Sequence, residues 1–274
     1  MRYHYMVVEG AHDAAAVGKV LELLGARQIK KLLTLNKLDE DRYFEHLTKL
    51  DFPYNDDMTE RMPVPLFFRY GDHQDLDLIA IHAVGGESAL VKTMMATLSN
   101  LDDNGESFTS LSIMGDADGR TPSGALAYYK EKLEEFPNPP AVMSHFANFA
   151  EPGLVLERRQ RIGVYVLPDN EQTGTLETVL LECAAGSYPD IHDKAVEYVD
   201  HFAPNYGQDW TGSKRDKAVI GCINNLLRPG TSNAVSIARD QWFCTNTMTL
   251  SSASKLQYFL QQLLGMEPCS PEQE

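Results

Sequence analysis

The sequence predicts an α/β protein: a mostly parallel, Rossmann-like sheet flanked by helices, with a helix and hairpin insertion and a mainly helical C-terminal extension. Three observations carry this. Compact apolar runs of strand length recur at Tyr5–Val8, Leu76–Val84, Leu111–Ile113 and Ile162–Leu167. Each leads through glycine or a carboxylate into a stretch with helical apolar spacing, and strand–helix alternation builds parallel sheets because parallel neighbours need a crossover. From Tyr188 onward the strand signals stop and only helical stripes remain.

Taken in order, Tyr5–Val8 runs into Glu9-Gly10. The helix behind it shows Val17, Val20, Leu21 and Leu24 at i, i+3, i+4 and i+7, with Gly25 in the capping position. Gln28–Leu35 reads either as a second short strand or as a continuation of the helical region. Asp39–Leu50 reads as a polar helix capped by Asp39, and Asp51–Pro65, rich in Asp, Pro and Asn, as a loop. Leu66–Tyr70 and Leu76–Ile81 flank a Gly-Asp-His turn and predict a hairpin, whose second strand continues to Val84 and Gly85-Gly86. A helix from about Glu87 buries Leu90, Met94, Leu98 and Leu101. Thr121-Pro122 supplies an N-cap and a first-turn proline for a helix carrying Leu126, Tyr129, Leu133 and Phe136. After the strand Ile162–Leu167, the next helix is striped by Leu176, Val179, Leu180 and Cys183. Ile191–Phe202, Ser213–Leu227 and Ser251–Leu264 are the C-terminal helices. The units so defined are a core over 1–186 with an insertion at about 28–77, an extension over 187–266, and a disordered tail over 267–274.

With 43% hydrophobic and 23% charged residues, the chain has the balance of a soluble globular protein. No apolar run approaches the ~20 residues of a membrane span, which predicts no membrane partner. The opening Met1-Arg2-Tyr3-His4 feeds into a strand and lacks a signal-peptide pattern. Cys183, Cys222, Cys244 and Cys269 form no Cys-x-x-Cys pair, and three of them lie in apolar segments; reduced thiols and a cytoplasmic location are expected. A net charge of −15 argues against a broad basic face for gripping phosphate backbones. Nucleic acid would have to be held by a local patch, by bound metal, or with a second copy of the chain or a partner protein. Ser213-Lys214-Arg215-Asp216-Lys217 is the densest basic stretch and the candidate patch, although a solvated helix face carries such runs too.

The chemically informative residues sit at strand ends. In Ser112–Gly119 a strand ends in Asp116 and Asp118, one residue apart, and strand alternation sends both to one side. Like charges so close repel unless a cation offsets them, and hard oxygen ligands suit Mg²⁺ or Mn²⁺; the alternative is an Asx-rich turn closing a strand. Glu9, at the end of the first strand, and Asp13, one turn into the next helix, add carboxylates where open α/β sheets bind ligands. Gly85-Gly86 permits close backbone approach to a ligand. A third strand end carries Asp169, Glu171 and Glu177. Glu171 reads as an acid complementing a helix dipole, whereas Glu177 stays open between that role and metal ligation.

Glu9 after one strand, Gly85-Gly86 after a second and Asp116-x-Asp118-Gly119 after a third resemble the Toprim domain of topoisomerases, bacterial primases, small RNase maturases and nucleases of the overcoming-lysogenisation-defect type. The resemblance covers about residues 3–136. Val8-Glu9-Gly10-x-x-Asp13 is most similar to the maturase and nuclease branches, where the acid one turn along also serves metal. Tyr165–Asn170, with Gly174 and Leu176-Glu177, is similar to an uncharacterised Toprim family. Neither zinc-ligand cysteines nor a Gly-x-x-x-x-Gly-Lys-Ser/Thr loop accompanies the pattern, and there is no room for the tyrosine-bearing domain of a topoisomerase. A stand-alone Toprim protein is expected.

The resemblance implies hydrolysis of phosphodiesters in DNA or RNA, structured RNA included, with Mg²⁺ or Mn²⁺. Glu9, Asp116 and Asp118 would hold one ion, and Asp13 and Glu177 would help hold a second, giving a two-metal clamp. Glu9 has general base as an alternative role. Lys217 or Lys214 would neutralise phosphate charge, and Gly85 and Gly86 would border the substrate. Glu177 and Lys217 take these roles from their order along the chain and not from a matched motif. The alternative function is a non-cleaving Toprim protein that holds metal and a nucleotide or RNA end in a regulatory or assembly role.

Overall fold

The structure, a computed structural model, describes residues 1–48, 65–72, 75–206 and 210–266. Most of the expected Asp51–Pro65 loop, the end of the expected Asp39–Leu50 helix and the 267–274 tail lie outside these residues. The strands are β1 (Arg2–Val8), β2 (Arg27–Ile29), β3 (Leu66–Tyr70), β4 (Asp77–Ala83), β5 (Phe108–Asp116), β6 (Val155–Glu157) and β7 (Arg161–Leu167). They form one sheet in the order β2-β3-β4-β1-β5-β7-β6. The central four run parallel, and antiparallel partners flank them on both sides. The predicted α/β class, with its largely parallel sheet and helical C-terminal region, is what the chain adopts.

Strand alternation sorts the buried residues into two cores. Met6, Val8, Ile79, Ile81 and Tyr165 face one layer, built from α1 (Ala11–Leu23), α6 (Leu176–Ser187), α7 (Pro189–Asn205), α8 (Ser213–Leu227), α9 (Asn233–Arg239) and α10 (Ser251–Leu264). Tyr5, Val7, Leu78, Ile113 and Val164 face the other, formed by α2 (Leu32–Leu38), α3 (Glu45–Thr48), α4 (Leu90–Ser99), α5 (Pro122–Glu134) and a 3-10 helix over Ala141–Asn148. Covering both faces is what lets the central strands be continuously apolar. The C-terminal helices therefore share a core with α1. One close approach is set by Gly163 on β7, where a Cβ would come within 2.7 Å of the Phe259 ring on α10.

Three local readings resolve or change. Gln28–Leu35 divides into strand β2 and helix α2. The expected Asp39–Leu50 helix shrinks to α3, because the Asp39 carboxylate accepts the Tyr43 and Phe44 N–H groups at 2.8 Å each and Arg42 takes a left-handed φ of 54°. These features make a turn before any helix can start. Helix α9, packed on α1, and the short edge strand β6 had no sequence signal. No helix among the described residues is long and apolar enough to cross a membrane.

At the amino ends of the central strands, a buried polar chain ties three of them together. The neutral His4 imidazole (β1) donates from Nε2 to Asp77 Oδ1 (β4) at 2.9 Å and accepts at Nδ1 from the Ser110 hydroxyl (β5) at 2.8 Å. Arg2 grips the same carboxylate at 2.6 and 2.8 Å. Burial pushes the His4 pKa down. It pushes Asp77 up, but the hydrogen bonds from His4 and Arg2 outweigh it and hold that carboxyl below its ordinary value.

Candidate functional site

The carboxyl ends of β1 and β5 are parallel neighbours, with Val8 beside Met114, so Glu9 and Asp116 leave the sheet side by side. Gly10 is the extended N-cap of α1, and the Asp13 carboxylate turns back to accept its N–H at 2.7 Å. That local closure buries Asp13 at 7% exposure beneath the helix start. Across the site, the first amide of α6, Leu176 N–H, donates to Asp116 Oδ1 at 3.0 Å. Thr175 donates its hydroxyl to Glu177 Oε2 at 2.8 Å, and Lys217 of α8 brings Nζ to 3.8 Å from the same oxygen. Glu9, His12, Asp13, Asp116, Glu177 and Lys217, with Gly10, Gly85 and Gly86, line a cavity of about 310 Å³.

Electrostatically this is a crowded acidic site. Burial, then the charges of Asp13, Glu9 and Glu177, push the Asp116 pKa up to about 9. Burial pushes Asp13 up to about 7, aided by Glu9 and Glu177 and opposed by the Gly10 N–H. Glu9 is also raised, first by burial and then by Asp118 and Glu87, with the Asp116 amide and Lys217 opposing. Glu87 is itself paired with Arg120. One Glu9 oxygen, Oε2, is buried with no hydrogen-bond partner.

Most of the sequence-predicted site residues come together; Asp118 and Lys214 do not, and the remaining acids of the third strand end, Asp169 and Glu171, are engaged elsewhere. Asp118 does not line the cavity. β5 ends at Asp116, so strand alternation no longer applies; Asp118 turns left-handed (φ 50°), is exposed, and gives its N–H to the Gly174 carbonyl at 2.9 Å. It acts on the site through its charge on Glu9. Lys214 is exposed and off the cavity, and Arg215 is held by Asp200 at 2.6 and 2.7 Å, so the basic run splits over separate helix faces and only Lys217 reaches the acids. Glu171 lies ahead of α6 and pairs with Lys255 at 2.8 Å instead of sitting in a helical first turn. Asp169 closes its own turn through the Glu171 and Gln172 amides and also takes Lys255.

Gly85 and Gly86 border the cavity, but their amides are already used: both donate to the Glu9 carbonyl, at 2.8 and 3.1 Å. Their φ values of 83° and 146° require glycine, and a Cβ at either would meet nothing within 4 Å. Their structural role is to fasten the Glu9 main chain while leaving its side chain free. His12 was missed in the sequence because a single imidazole beside Asp13 carries no spacing signal; burial pushes its pKa down, with Glu177 opposing.

As they stand, no three His, Cys, Asp or Glu side chains among the described residues form a closed metal-ligand set. The donors nevertheless suit a hard cation: an unpartnered buried Glu9 oxygen lies among carboxyls whose burial and, after it, mutual repulsion favour the protonated form. Asp116 keeps one oxygen beyond its bond to Leu176.

The family described as protein of unknown function DUF3226 matches residues 3–265. The chain belongs to that family. A crystal structure of the hypothetical protein PH0156 from Pyrococcus horikoshii OT3 is similar in fold, with a TM-score of 0.56, 17% sequence identity and 96% of each chain covered. No curated protein matches the chain in sequence.

Proposed function

We propose that this family member is a Toprim-like phosphodiesterase that hydrolyses nucleic acid with Mg²⁺ or Mn²⁺. The observation that carries the reading is the convergence of Glu9, Asp13, Asp116 and Glu177 on one cavity, with an orphaned buried Glu9 oxygen and two carboxyls pushed far above their ordinary pKa. A site built only for stability would not collect repelling acids where a hydrophobic residue or a salt bridge would serve.

Glu9 and Asp116 are the principal ligands, each with an oxygen unclaimed by the protein. Asp13 and Glu177 stand behind them, and Asp118 adds charge from the rim. A bound divalent ion would stabilise charge on phosphate oxygens and acidify a water. Lys217, the cavity's one lysine among the described residues, would meet a non-bridging phosphate oxygen. Glu9 is also placed to take a proton from a water entering the cavity.

The test is cleavage of labelled DNA, RNA and transfer RNA with Mg²⁺, Mn²⁺ or chelator. Metal-dependent cleavage lost in Glu9→Gln and Asp116→Asn supports the reading. The charge of −15 and the single cavity lysine favour a second reading, a metal protein that holds a nucleotide or RNA end without cutting it. Metal-dependent binding without cleavage would select that one.

A further inference from the structure

A second cavity, of about 610 Å³, lies at the opposite end of the sheet and is lined by Arg2, Arg27, Arg69, Tyr70 and Leu76. Arg2 begins β1 and Glu9 follows its end, so seven strand residues, roughly 20 Å, separate it from the acidic site. Arg27 on β2 and Arg69 on β3 are direct cross-strand partners. Their side chains therefore rise from the same face, an arrangement of like charges that destabilises a sheet. In a chain of net charge −15 each would be expected to find a carboxylate. Arg2 does: it holds Asp77 and Asp75 at 2.6 and 3.2 Å. Arg27 and Arg69 have no ion-pair or hydrogen-bond partner among the described residues, although Asp72 and Asp75 share the cavity wall, Asp75 held by Arg2. Charge on a short edge strand deters pairing with another sheet, which accounts for Arg27 on β2 but not for Arg69 on the interior strand β3.

We propose that this cavity binds a phosphomonoester, with Arg27 and Arg69 clasping its terminal phosphate. A terminal phosphate offers three oxygens and close to two negative charges, so it takes a fork from each arginine and matches the charge of the pair better than a single carboxylate does. The cavity exceeds what phosphate alone needs and falls within the ~300–1,000 Å³ of small-molecule sites. Leu38 and Leu76, which pack in the core on the arginines' side of the sheet, offer a wall to an organic body. Binding would relieve the repulsion between the two arginines, and the site works without metal and independently of the proposed hydrolysis.

The test is calorimetric titration in chelator with adenosine 5′-monophosphate, inorganic phosphate, adenosine, and a short oligonucleotide with or without a 5′-phosphate. Wild type and Asp116→Asn should bind the monophosphate equally, adenosine should not bind, and Arg27→Gln/Arg69→Gln should bind at least tenfold more weakly. Arg69→Lys, which keeps the charge but loses the fork, should weaken binding too. Selective binding of the 5′-phosphorylated oligonucleotide over its 5′-hydroxyl form would support the same chemistry and identify a strand end as its source. The single variant Arg27→Gln, at an exposed residue, guards against misfolding of the double. Failure of every phosphorylated probe to bind, or unchanged affinity in Arg27→Gln and in the double variant, would overturn the proposal.

Discussion

Replacing Asp116 with asparagine should stabilise the metal-free protein. In the unfolded chain this carboxyl titrates near 3.9, whereas in the fold burial and three neighbouring acids push it up to about 9. Between those values the folded state binds a proton that the unfolded state has lost, so stability falls as pH rises through that window. At pH 7 the gap is about three pH units, or ~4 kcal/mol as a ceiling. Because Asp13 and Glu9 share the repulsion, relief at one position recovers about half of that, ~2 kcal/mol. An asparagine oxygen can still accept the Leu176 N–H, so the local turn survives. For a chain of this length ~2 kcal/mol corresponds to roughly 4–8 °C. Differential scanning calorimetry in chelator should show that rise at pH 7.5 and only roughly a fifth of it at pH 4.5, where the pH lies about 0.6 units above the unfolded pKa. A midpoint that is unchanged or lower at pH 7.5, or a gain that does not depend on pH, would refute the reasoning.

Asp118→Asn, at an exposed residue, should move the midpoint far less than Asp116→Asn in the same scans. Lys217→Ala should cut any cleavage rate at least tenfold while leaving the chelator midpoint nearly unchanged, since its side chain is 56% exposed; a large loss of stability would recast it as structural. His4→Ala leaves Ser110 unpartnered and Asp77 with Arg2 alone, for a loss of ~3 kcal/mol by denaturant titration. Because the Asp77 pKa is depressed in the fold, its contribution is present above about pH 4 and lost below it, so the acid limb of stability should flatten in that variant. Gly86→Ala forces a side chain into φ 146°, costing about 1–3 kcal/mol, and loosens the clamp on the Glu9 carbonyl; metal affinity measured by calorimetry should fall with it.

The sheet was legible because its strands are buried on both faces and read as unbroken apolar runs, and the long helices because their stripes and caps are regular. Ser213–Leu227 and Ser251–Leu264 match α8 and α10 in the structure. What escaped was short or non-local. Helix α9 has seven residues and β6 three, too few for a period to emerge. Glu9, Asp13 and Asp116 were readable since each lies at or just beyond a clear strand end. Asp118 was misplaced because alternation holds only while the ladder lasts, and the chain leaves it at Asp116. Glu177 and Lys217 reach the cavity through the packing of α6 and α8, a long-range fact that only their order along the chain hinted at. The pairing of Arg27 with Arg69 is also non-local, set by strand register across residues far apart in sequence.

The account rests most heavily on the acid cluster being a divalent-cation site. Mn²⁺ titration by calorimetry, repeated at pH 7.5 in buffers of different ionisation enthalpy, measures both binding and the protons displaced. Binding should release protons, about one per ion, because Asp13 and Asp116 titrate near and above neutrality. It should tighten as pH rises from 6 to 9 and vanish in Glu9→Gln/Asp116→Asn. Absent Mn²⁺ binding, or binding without proton release that persists in the double variant, would contradict it.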